Sequence, residues 1–452
     1  MTVPAAIEKY LKQYSVGARW RIVPGSFEGI DTVVVIPALA ESDHIFRTLA
    51  DLSENPPDQL TRTVVVCVVN NGDEETVSAE AFADNQYTLK ILRSLVEDNG
   101  DDITKVRQSA CIDRIRQSGL QVAYIDASSP GLEMPGKSAG VGFARKIGLD
   151  LSLELFDYDT DSIKLLLCLD ADTLVEPAYL AAVRDSFEKE QLTAAVIAFA
   201  HQEADSADEQ AAICCYELFL RYYVLGLRWA ASPYAFHSIG STMACTAEAY
   251  AAVRGMNKRR AGEDFYFLDK LAKIGRVGRI TATTVHPSAR PSGRVPFGTG
   301  KRIMSFTEGK GNYYCLYDPR SFIVLKTWLD YMSSLREMDD QAILAHAGGI
   351  HPSLEAFLSE RRFSEVWPRL VENSGDKVHL NSHFSRWFDG FETFKLVRYL
   401  TNNGLPPVDM FVALQRLMEM MAKKLPVDIT PGIVPSFQMQ MEILEYLREI
   451  DR

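Results

Sequence analysis

Several common features are missing from this 452-residue sequence. It has no run of 18 uninterrupted apolar residues, so we expect no membrane span, and the first residues show no signal-peptide core. The seven cysteines form no Cys-x-x-Cys pair. Cys67 and Cys168 lie in apolar runs, as reduced and buried thiols do. We therefore expect a cytoplasmic protein.

An excess of positive charge is also missing. The chain has 48 Lys and Arg residues against 60 Asp and Glu residues, which gives a net charge of -12. Nonspecific nucleic-acid binding requires a basic surface, so we expect no nucleic-acid partner. The most apolar stretch, residues 211–236, carries Glu217, Arg221 and Arg228 and is typical of an amphipathic helix. It leaves a peripheral membrane contact open.

Short apolar runs mark the strands of a predicted parallel sheet. They alternate with helix-compatible segments, which indicates an α/β protein built from βαβ units. The predicted strands are residues 31–37, 63–69, 121–126, 163–169, 193–200 and 280–285.

The strand signal fades towards the C-terminus, where helical runs alternate with breakers such as Pro406-Pro407. We predict a catalytic domain at residues 1–317, with a short helical lead-in, and a helical region at residues 318–452. The C-terminal helices are also candidates for a homodimer interface.

The tripeptide Asp170-Ala171-Asp172 follows the fourth predicted strand. In open α/β sheets, ligands bind at the carboxyl ends of the strands. Two carboxylates one residue apart can hold a hard divalent cation, whose coordination shell substrate phosphates complete. Taken alone, a solvated turn with two acidic residues is the more common explanation.

Two other predicted strands deliver polar side chains to the same edge. The first leads through Pro37 to Glu41, and the second ends at Asn70-Asn71. Three strands with polar residues at one edge indicate a pocket. For Glu41 alone, an acid that stabilises a helix N-terminus is an equally good interpretation.

Two further motifs precede predicted helices. Gly136-Lys137-Ser138 follows the third strand, so Lys137 and the helix N-terminus can face a diphosphate; otherwise Lys137 is a surface residue at a turn. Gly262-Glu263-Asp264 opens a helix that runs to Ile274. One carboxylate of this pair can act as general base towards an acceptor hydroxyl, or the pair can simply cap the helix.

His286 ends the last predicted strand, and residues 287–311 after it form a loop rich in glycine, proline and basic residues. Such a loop is typical of a lid that closes over phosphates, although a solvated loop has the same composition. The helix at residues 207–229 has an aromatic, basic face that is a candidate for the acceptor side, with Tyr234 and His237 beyond it. For Tyr222 and Trp229 we favour packing against the sheet.

Taken in order, these motifs resemble those of the family 2 nucleotide-sugar glycosyltransferases, which have the GT-A fold. The matching elements are strand-PALAE, strand-NNGD, Gly-Lys, strand-DAD and GED before an amphipathic helix, over residues 30–290. The resemblance implies a Rossmann-like mixed sheet flanked by helices. It also implies transfer of a hexosyl group from a nucleotide-diphosphate sugar to a sugar, small-molecule or lipid-linked acceptor, with Mn²⁺ or Mg²⁺ as cofactor.

The resemblance also implies roles for individual residues. Asp264 resembles the general base of inverting members, with Glu263 beside it. The metal ligands implied are Asp172, His286 and, as an outer or ribose contact, Asp170. For the nucleotide sugar, the resemblance implies contacts from Glu41, Asn71 and Asp170. To this site we add, from their positions and charges, Pro37, Lys137, Arg290, Arg294 and Lys301.

The sequence departs from the family pattern at some points. Asn70-Asn71 replaces the usual acidic pair, and the Q-x-x-R-W motif of processive synthases is absent. His286 and the arginine-rich loop also resemble the soluble, retaining mannosylglycerate- and glucosylglycerate-type enzymes, so the stereochemical outcome stays open.

Two other functional classes compete with this interpretation. A nucleotidyltransferase would carry glycine and arginine in the loop at residues 38–41, which has neither. A catalytically silent GT-A scaffold would have no need for both acidic pairs.

Overall fold

We describe a computed structural model of residues 3–72, 77–97, 107–136, 139–259, 261–292, 298–309, 313–335 and 339–452. These residues form two compact units. Unit 1 takes in the described residues within Met1–Ala204, Ser238–Ala289 and Gly293–Gly298; unit 2 takes in those within Asp205–His237, Arg290–Ser292 and Thr299–Arg452. The units differ from the predicted boundary at residue 317 because residues 205–237 and 299–317 group with the C-terminal helices.

Unit 1 is built on a mixed sheet, which in the described part of the chain has nine strands in the order β1-β4-β3-β2-β5-β8-β7-β9-β6. The parallel pairs are β4–β3, β3–β2, β2–β5 and β7–β9, and the other neighbours are antiparallel. The strands are β1 (Ile22–Val23), β2 (Thr32–Ala38), β3 (Thr63–Asn70), β4 (Gln121–Ala127), β5 (Leu165–Cys168), β6 (Leu174–Val175), β7 (Ala194–Phe199), β8 (Met243–Thr246) and β9 (Val277–His286).

Helices flank this sheet. Those of unit 1 are α1 (Ala5–Tyr14), α2 (Ile45–Leu52), α3 (Pro57–Leu60), α4 (Ala79–Glu97), α5 (Ser109–Ser118), α6 (Val141–Ser152), α7 (Tyr179–Glu190), α9 (Ala247–Ala252) and α10 (Glu263–Ala272), with a short 3₁₀ helix at Gly240–Thr242. The predicted α/β class with a mixed, helix-flanked sheet is confirmed.

The six predicted strands all form, as β2, β3, β4, β5, β7 and β9. Every residue of β2 and β3 is buried, because helices cover both faces of a parallel sheet and favour continuous apolar runs. Cys67 and Cys168 lie in this core as free thiols, and burial raises the pKa of each to about 12. The expectation that these two cysteines are buried is confirmed, and their reduced state stays a prediction.

The sequence did not predict β8, which inserts antiparallel between β5 and β7. Its four residues, Met-Ala-Cys-Thr, have no alternating pattern, so only the two neighbouring strands define it. The predicted loop at residues 287–311 is also corrected, because Thr299–Thr307 is helical and buries Ile303. Polar and glycine-rich composition hid that short helix.

Helix α6 packs unusually closely on the sheet. A Cβ atom at Gly148 would overlap the Val35 side chain of β2 and lie 2.9 Å from Val68 of β3. At its end, buried Asp150 accepts hydrogen bonds of 2.6 Å from both Tyr10 and Tyr250, which ties α1 to the domain. These contacts fix the position of α6 and of the side chains it carries.

Unit 2 consists mainly of helices. They are α8 (Ala207–Trp229), α11 (Thr299–Thr307), α12 (Arg320–Ser334), α13 (Asp340–Ile350), α14 (Pro352–Glu360), α15 (Phe363–Glu372), α16 (Lys377–Trp387), α17 (Gly390–Asn402), α18 (Met410–Met420) and α19 (Phe437–Ile450). The strands β10 (Cys315–Leu316) and β11 (Val408–Asp409) form a small antiparallel pair. Residues 318–452, which we predicted to be a helical region, carry α12 to α19 and β11 among the described residues. The domain division and the dimer interface stay predictions.

The core of unit 2 is rich in aromatic residues. Trp328, Phe357 and Trp367 are among its fully buried side chains. In the described residues, no helix has both the length and the apolar character that crossing a bilayer requires.

Candidate active site

The carboxyl ends of β2, β3 and β5 meet at one edge of the sheet, because these neighbouring strands are parallel. Asn71 follows β3 directly, Asp170 lies two residues beyond β5, and Glu41 lies three residues beyond β2. The structure therefore brings to one edge the three polar positions that the sequence predicted there.

Asn71 is held rigidly at this edge. Its side-chain amide donates to the Ser128 carbonyl oxygen at 3.2 Å, and its backbone amide donates to Ala127 at 3.2 Å. The side chain is 3% exposed, and its Oδ1 atom has no hydrogen-bond donor among the residues that the structure describes. A fixed, buried acceptor of this kind suits recognition of a ligand N–H group.

Glu41 and Pro37 occupy the path from β2 into α2. Glu41 is buried, and its carbonyl oxygen accepts the His44 and Ile45 amides at 3.0 Å, so its backbone starts the first helical turn. Pro37 lies inside β2 although proline has no backbone N–H to donate to a neighbouring strand. The strand tolerates it because β2 pairs with β5 only as far as Val35.

Arg145 of α6 contacts both acidic motifs of the site. Its Nη1 atom donates to Glu263 Oε1, and its Nη2 atom donates to Asp170 Oδ1. The Arg145 and Glu263 side chains are 3% and 4% exposed, whereas Asp170 is 35% exposed. One buried guanidinium therefore joins the Asp-Ala-Asp turn to the Gly-Glu-Asp turn.

Sequence reasoning missed Arg145. The available signal was an arginine within the otherwise apolar start of α6, Val-Gly-Phe-Ala-Arg. Charged residues are rarely fully buried unless they are paired, so an arginine on an apolar helical face predicts acidic partners. The sequence does not say which acids these are.

The Gly-Glu-Asp motif opens α10. Gly262 has φ +72°, a left-handed conformation that favours glycine, and the next residue begins the helix. Glu263 faces inward to Arg145, and a Cβ atom at Gly142 would lie 2.7 Å from the Glu263 Cβ atom. Glu263 is thus an ion-paired, tightly packed carboxylate rather than a free base.

Asp264 differs from its neighbour. It is partly exposed, and its Oδ1 atom accepts the Phe265 amide at 2.7 Å. Burial and the adjacent Glu263 charge raise the pKa of Asp264 to about 7, against the opposing effects of Arg145 and the Phe265 amide. A carboxylate with a pKa near neutrality can take up a proton in the physiological range.

The segments that carry Asp172 and His286 are joined by Gln202. Its side-chain amide donates to the Asp172 carbonyl oxygen at 2.8 Å and to the His286 carbonyl oxygen at 2.7 Å. Strand β6, just after Asp172, pairs with the end of β9, with Leu174 opposite His286. The predicted pair of ligands therefore lies on neighbouring backbone.

The residues present fit part of a metal site. The His286 Nδ1 atom lies 2.9 Å from the Ala200 carbonyl oxygen, a contact that requires a proton on Nδ1 and leaves the lone pair of the neutral ring on Nε2. Glu176 Oε1, which sequence reasoning missed, lies 4.0 Å from that Nε2 atom.

The predicted three-ligand set is not assembled. Among the described residues, no three His, Cys, Asp or Glu side chains are grouped closely enough to hold a metal ion. Asp170 is turned to Arg145 instead, because a buried guanidinium needs anionic partners. Asp172 and His286 remain the candidates, and Mg²⁺-type sites commonly rely on one or two carboxylates plus substrate phosphates.

Four predicted residues of the nucleotide-sugar site remain. Lys137 and Arg294 lie outside the described residues. Arg290 and Lys301 belong to unit 2, and their roles stay predictions.

The structure also shows where the residues that we considered for the acceptor side lie. Tyr222 and Trp229 are packing residues, as we favoured, but against unit 2 rather than the sheet: their polar atoms donate to the Tyr317 and Met420 carbonyl oxygens at 2.6 and 2.8 Å. Tyr234 and His237 are corrected, because both are buried and bonded within unit 2, to Ser385 and Asp451.

No protein-family model matches this chain, and no curated protein matches it. Solved structures with some likeness include Staphylococcus aureus TarS residues 1–349 in complex with UDP-GlcNAc. That chain is 10% identical, with 83% of this chain and 93% of that chain covered and a TM-score of 0.38.

A second structure is the mannosyltransferase PcManGT from Pyrobaculum calidifontis in complex with GDP-Man and Mn²⁺. It is 13% identical, with 84% of this chain and 92% of that chain covered and a TM-score of 0.34. At such scores the likeness decides nothing about chemistry, so function must come from the residues of the site.

Proposed function

We propose that this protein is a glycosyltransferase of the GT-A type that moves a sugar from a nucleotide-diphosphate sugar to an acceptor hydroxyl. The observation that carries the proposal is the bridge from Asp170 through Arg145 to Glu263. It unites two acidic motifs that are distant in sequence at the ligand-binding edge of an α/β sheet. The order of the sequence motifs supports the same reaction.

Asp264 is the proposed general base. Its partial burial and the charge of the neighbouring Glu263 raise the pKa of Asp264 to about 7, which matches the ionisation that a base needs at neutral pH. As the acceptor oxygen attacks the anomeric carbon, its proton moves to the Asp264 carboxylate. Direct attack of this kind inverts the configuration at that carbon.

The donor end of the site rests on the sheet edge. Asn71 offers its buried Oδ1 acceptor to the nucleoside, and Glu41 lies at the neighbouring position. Asp172 and His286 would hold the Mn²⁺ or Mg²⁺ that the resemblance implies, which would supply charge neutralisation at the diphosphate. Lys137 and Arg294 are proposed as further hydrogen-bond donors to the diphosphate.

The first test is a thermal-shift and transfer screen with UDP-, GDP- and ADP-sugars, with and without Mn²⁺. We expect at least one donor to stabilise the protein and to be consumed. A screen in which no donor raises the melting temperature would favour a scaffold. A parallel incubation with a nucleoside triphosphate and a sugar phosphate tests the alternative, because release of pyrophosphate there would indicate a nucleotidyltransferase.

The base is tested with Asp264→Asn, which keeps the size of the side chain but cannot accept the proton. We expect transfer to fall by roughly 10²–10⁴-fold while donor binding persists. For the wild type, kcat/KM should rise with pH towards a plateau above about 7, because the raised pKa of Asp264 leaves it protonated below that value.

The product supplies an independent check. NMR of the anomeric proton should show inverted configuration. A retained configuration, or wild-type turnover by Asp264→Asn, would contradict the assignment of this residue as the base.

A further inference from the structure

Asn85 is a buried polar residue of α4 whose side chain joins the ends of three strands of unit 1. It is 1% exposed. Its Oδ1 atom accepts the backbone amide of Ala40, just beyond β2, at 2.8 Å. Its Nδ2 atom donates to the Asn70 carbonyl oxygen at the end of β3 at 3.0 Å, and to the Oγ atom of Ser128, just beyond β4, at 3.1 Å. A single side-chain amide therefore connects the carboxyl ends of β2, β3 and β4.

At the ends of β3 and β4, these bonds determine where the Asn71 side chain lies. Asn71 follows Asn70 directly, and its side-chain amide donates to the Ser128 carbonyl oxygen at 3.2 Å. Asn85 therefore binds both the residue before Asn71 and the residue that anchors the Asn71 amide. The direction in which the buried Asn71 Oδ1 acceptor points depends on both of these residues.

At the end of β2, the bond from Ala40 to Asn85 holds a strained turn. Ala40 has φ +51°, a left-handed conformation that residues other than glycine rarely adopt. Such a conformation persists only where the surrounding structure holds it. The next residue, Glu41, is buried, and its carbonyl oxygen starts the turn into α2. The position of Glu41 therefore depends on the Ala40 conformation that Asn85 stabilises.

The residues on either side of Asn85 contact the same loops. Asp84 accepts hydrogen bonds from the Ser42 amide at 3.1 Å and from the Ser42 hydroxyl at 2.5 Å, and Gln86 Nε2 donates to Ser129 Oγ at 3.3 Å. Successive residues of a helix point about 100° apart, so these three side chains reach from the loop after β2 to the loop after β4. Asp and Asn are poor helix formers, so helix formation does not explain their presence within α4.

We propose that Asn85 is a positioning residue for the nucleoside of the sugar donor, and that it acts through Glu41 and Asn71; this role rests on the proposed function. An amide suits the position because it donates two hydrogen bonds and accepts another. A carboxylate has nearly the same shape but cannot donate to the Asn70 carbonyl oxygen. Asn85→Asp would therefore place two acceptors against each other and shift the ends of the strands.

The test is isothermal titration calorimetry of the full-length protein with UDP, GDP and ADP in the presence of Mn²⁺. For the nucleotide that the wild type binds, Asn85→Asp should raise the Kd roughly tenfold and leave the number of sites per chain unchanged. Ser128→Ala removes one acceptor of the Asn85 amide and adds no charge, so it covers the case in which Asn85→Asp does not fold. It should raise the Kd by roughly threefold.

Asn55→Asp is the matched control. Asn55 is also a buried asparagine of unit 1, 3% exposed, whose amide donates to the Leu52 carbonyl oxygen at 3.1 Å and accepts the Leu180 amide at 2.8 Å. We expect this variant to lower the melting temperature about as much as Asn85→Asp does, but to bind the nucleotide with the wild-type Kd. If Asn85 were merely structural, Asn85→Asp would lower the number of sites without changing the Kd, or both variants would raise the Kd alike. Either result would overturn the proposal.

The wild-type titration separates this proposal from the proposed function. If none of the three nucleotides binds to the wild type, the glycosyltransferase assignment fails and the role of Asn85 fails with it. If a nucleotide binds to the wild type, and Asn85→Asp and Ser128→Ala bind it equally tightly, the glycosyltransferase assignment stands and only the positioning role is overturned.

Discussion

Replacing Arg145 by glutamine would leave Glu263 buried without its cation. Removing one partner of a buried ion pair costs about 3–5 kcal/mol, because the remaining charge has neither water nor a counter-charge. The Arg145–Glu263 pair meets that condition, with side chains 3% and 4% exposed. Asp170 is 35% exposed, so its pair adds at most about 1 kcal/mol. We expect Arg145→Gln to lower the free energy of unfolding of unit 1 by about 3–5 kcal/mol.

The assay is urea unfolding followed by hydrogen-exchange mass spectrometry of peptides from residues 141–152 and 263–272. This readout is needed because four of the five tryptophans lie in unit 2, so fluorescence reports mainly on that unit. Arg116→Gln is the matched control, since Arg116 is exposed on α5 and its loss should change stability by less than about 0.5 kcal/mol.

The double variant Arg145→Gln/Glu263→Gln isolates the charge. It removes the stranded carboxylate, so it should recover about 1–3 kcal/mol relative to the single variant. A loss below about 1 kcal/mol for Arg145→Gln would refute the reasoning, and so would a double variant no more stable than the single one. Since Arg145 lowers the pKa of Asp264, the pH profile of transfer should also move upward in the single variant.

A glycine of α6 in unit 1 and the buried His237–Asp451 pair in unit 2 each give a further prediction. Gly142→Ala would place a Cβ atom 2.7 Å from the Glu263 side chain, so we expect the free energy of unfolding of unit 1 to fall by about 1–3 kcal/mol in urea. Gly349→Ala is the control, because its Cβ atom would meet no heavy atom within 4 Å, and it should be neutral or stabilising. Burial lowers the pKa of His237, and that of Asp451 is lowered because His237 and two arginines outweigh its burial. The unfolded chain therefore binds more protons than the folded chain. The melting temperature of unit 2, followed by tryptophan fluorescence, should fall as the pH drops below about 6.5 and again below about 4. A melting temperature that does not change with pH, or an Asp451→Asn variant as stable as the wild type at pH 7, would contradict this.

Much of unit 1 was predictable because its strands are buried on both faces. The apolar runs that became β2, β3 and β5 need no particular neighbour to be recognised, and a parallel sheet fixes which of their ends meet. The grouping of Asn71 and Asp170 at one edge follows from that rule.

The pairing of charges was not predictable in the same way. Asp170 was expected to contact ribose or to lie at the outside of a metal site, and the structure pairs it with Arg145, a residue that no motif singled out. Helix α11 and strand β8 were missed because their short, mixed sequences gain stability only from the elements that pack against them.

The sequence by itself determined the α/β order, the buried strands and the acidic motifs at their ends, because hydrophobic periodicity and turn residues act over a few neighbouring positions. Only the tertiary structure decided which carboxylate is paired and which can accept a proton. Glu263 and Asp264 are adjacent and chemically alike, yet one lies against a buried guanidinium and the other has a pKa near 7. That difference depends on burial and on a charge brought from α6, neither of which is local in sequence.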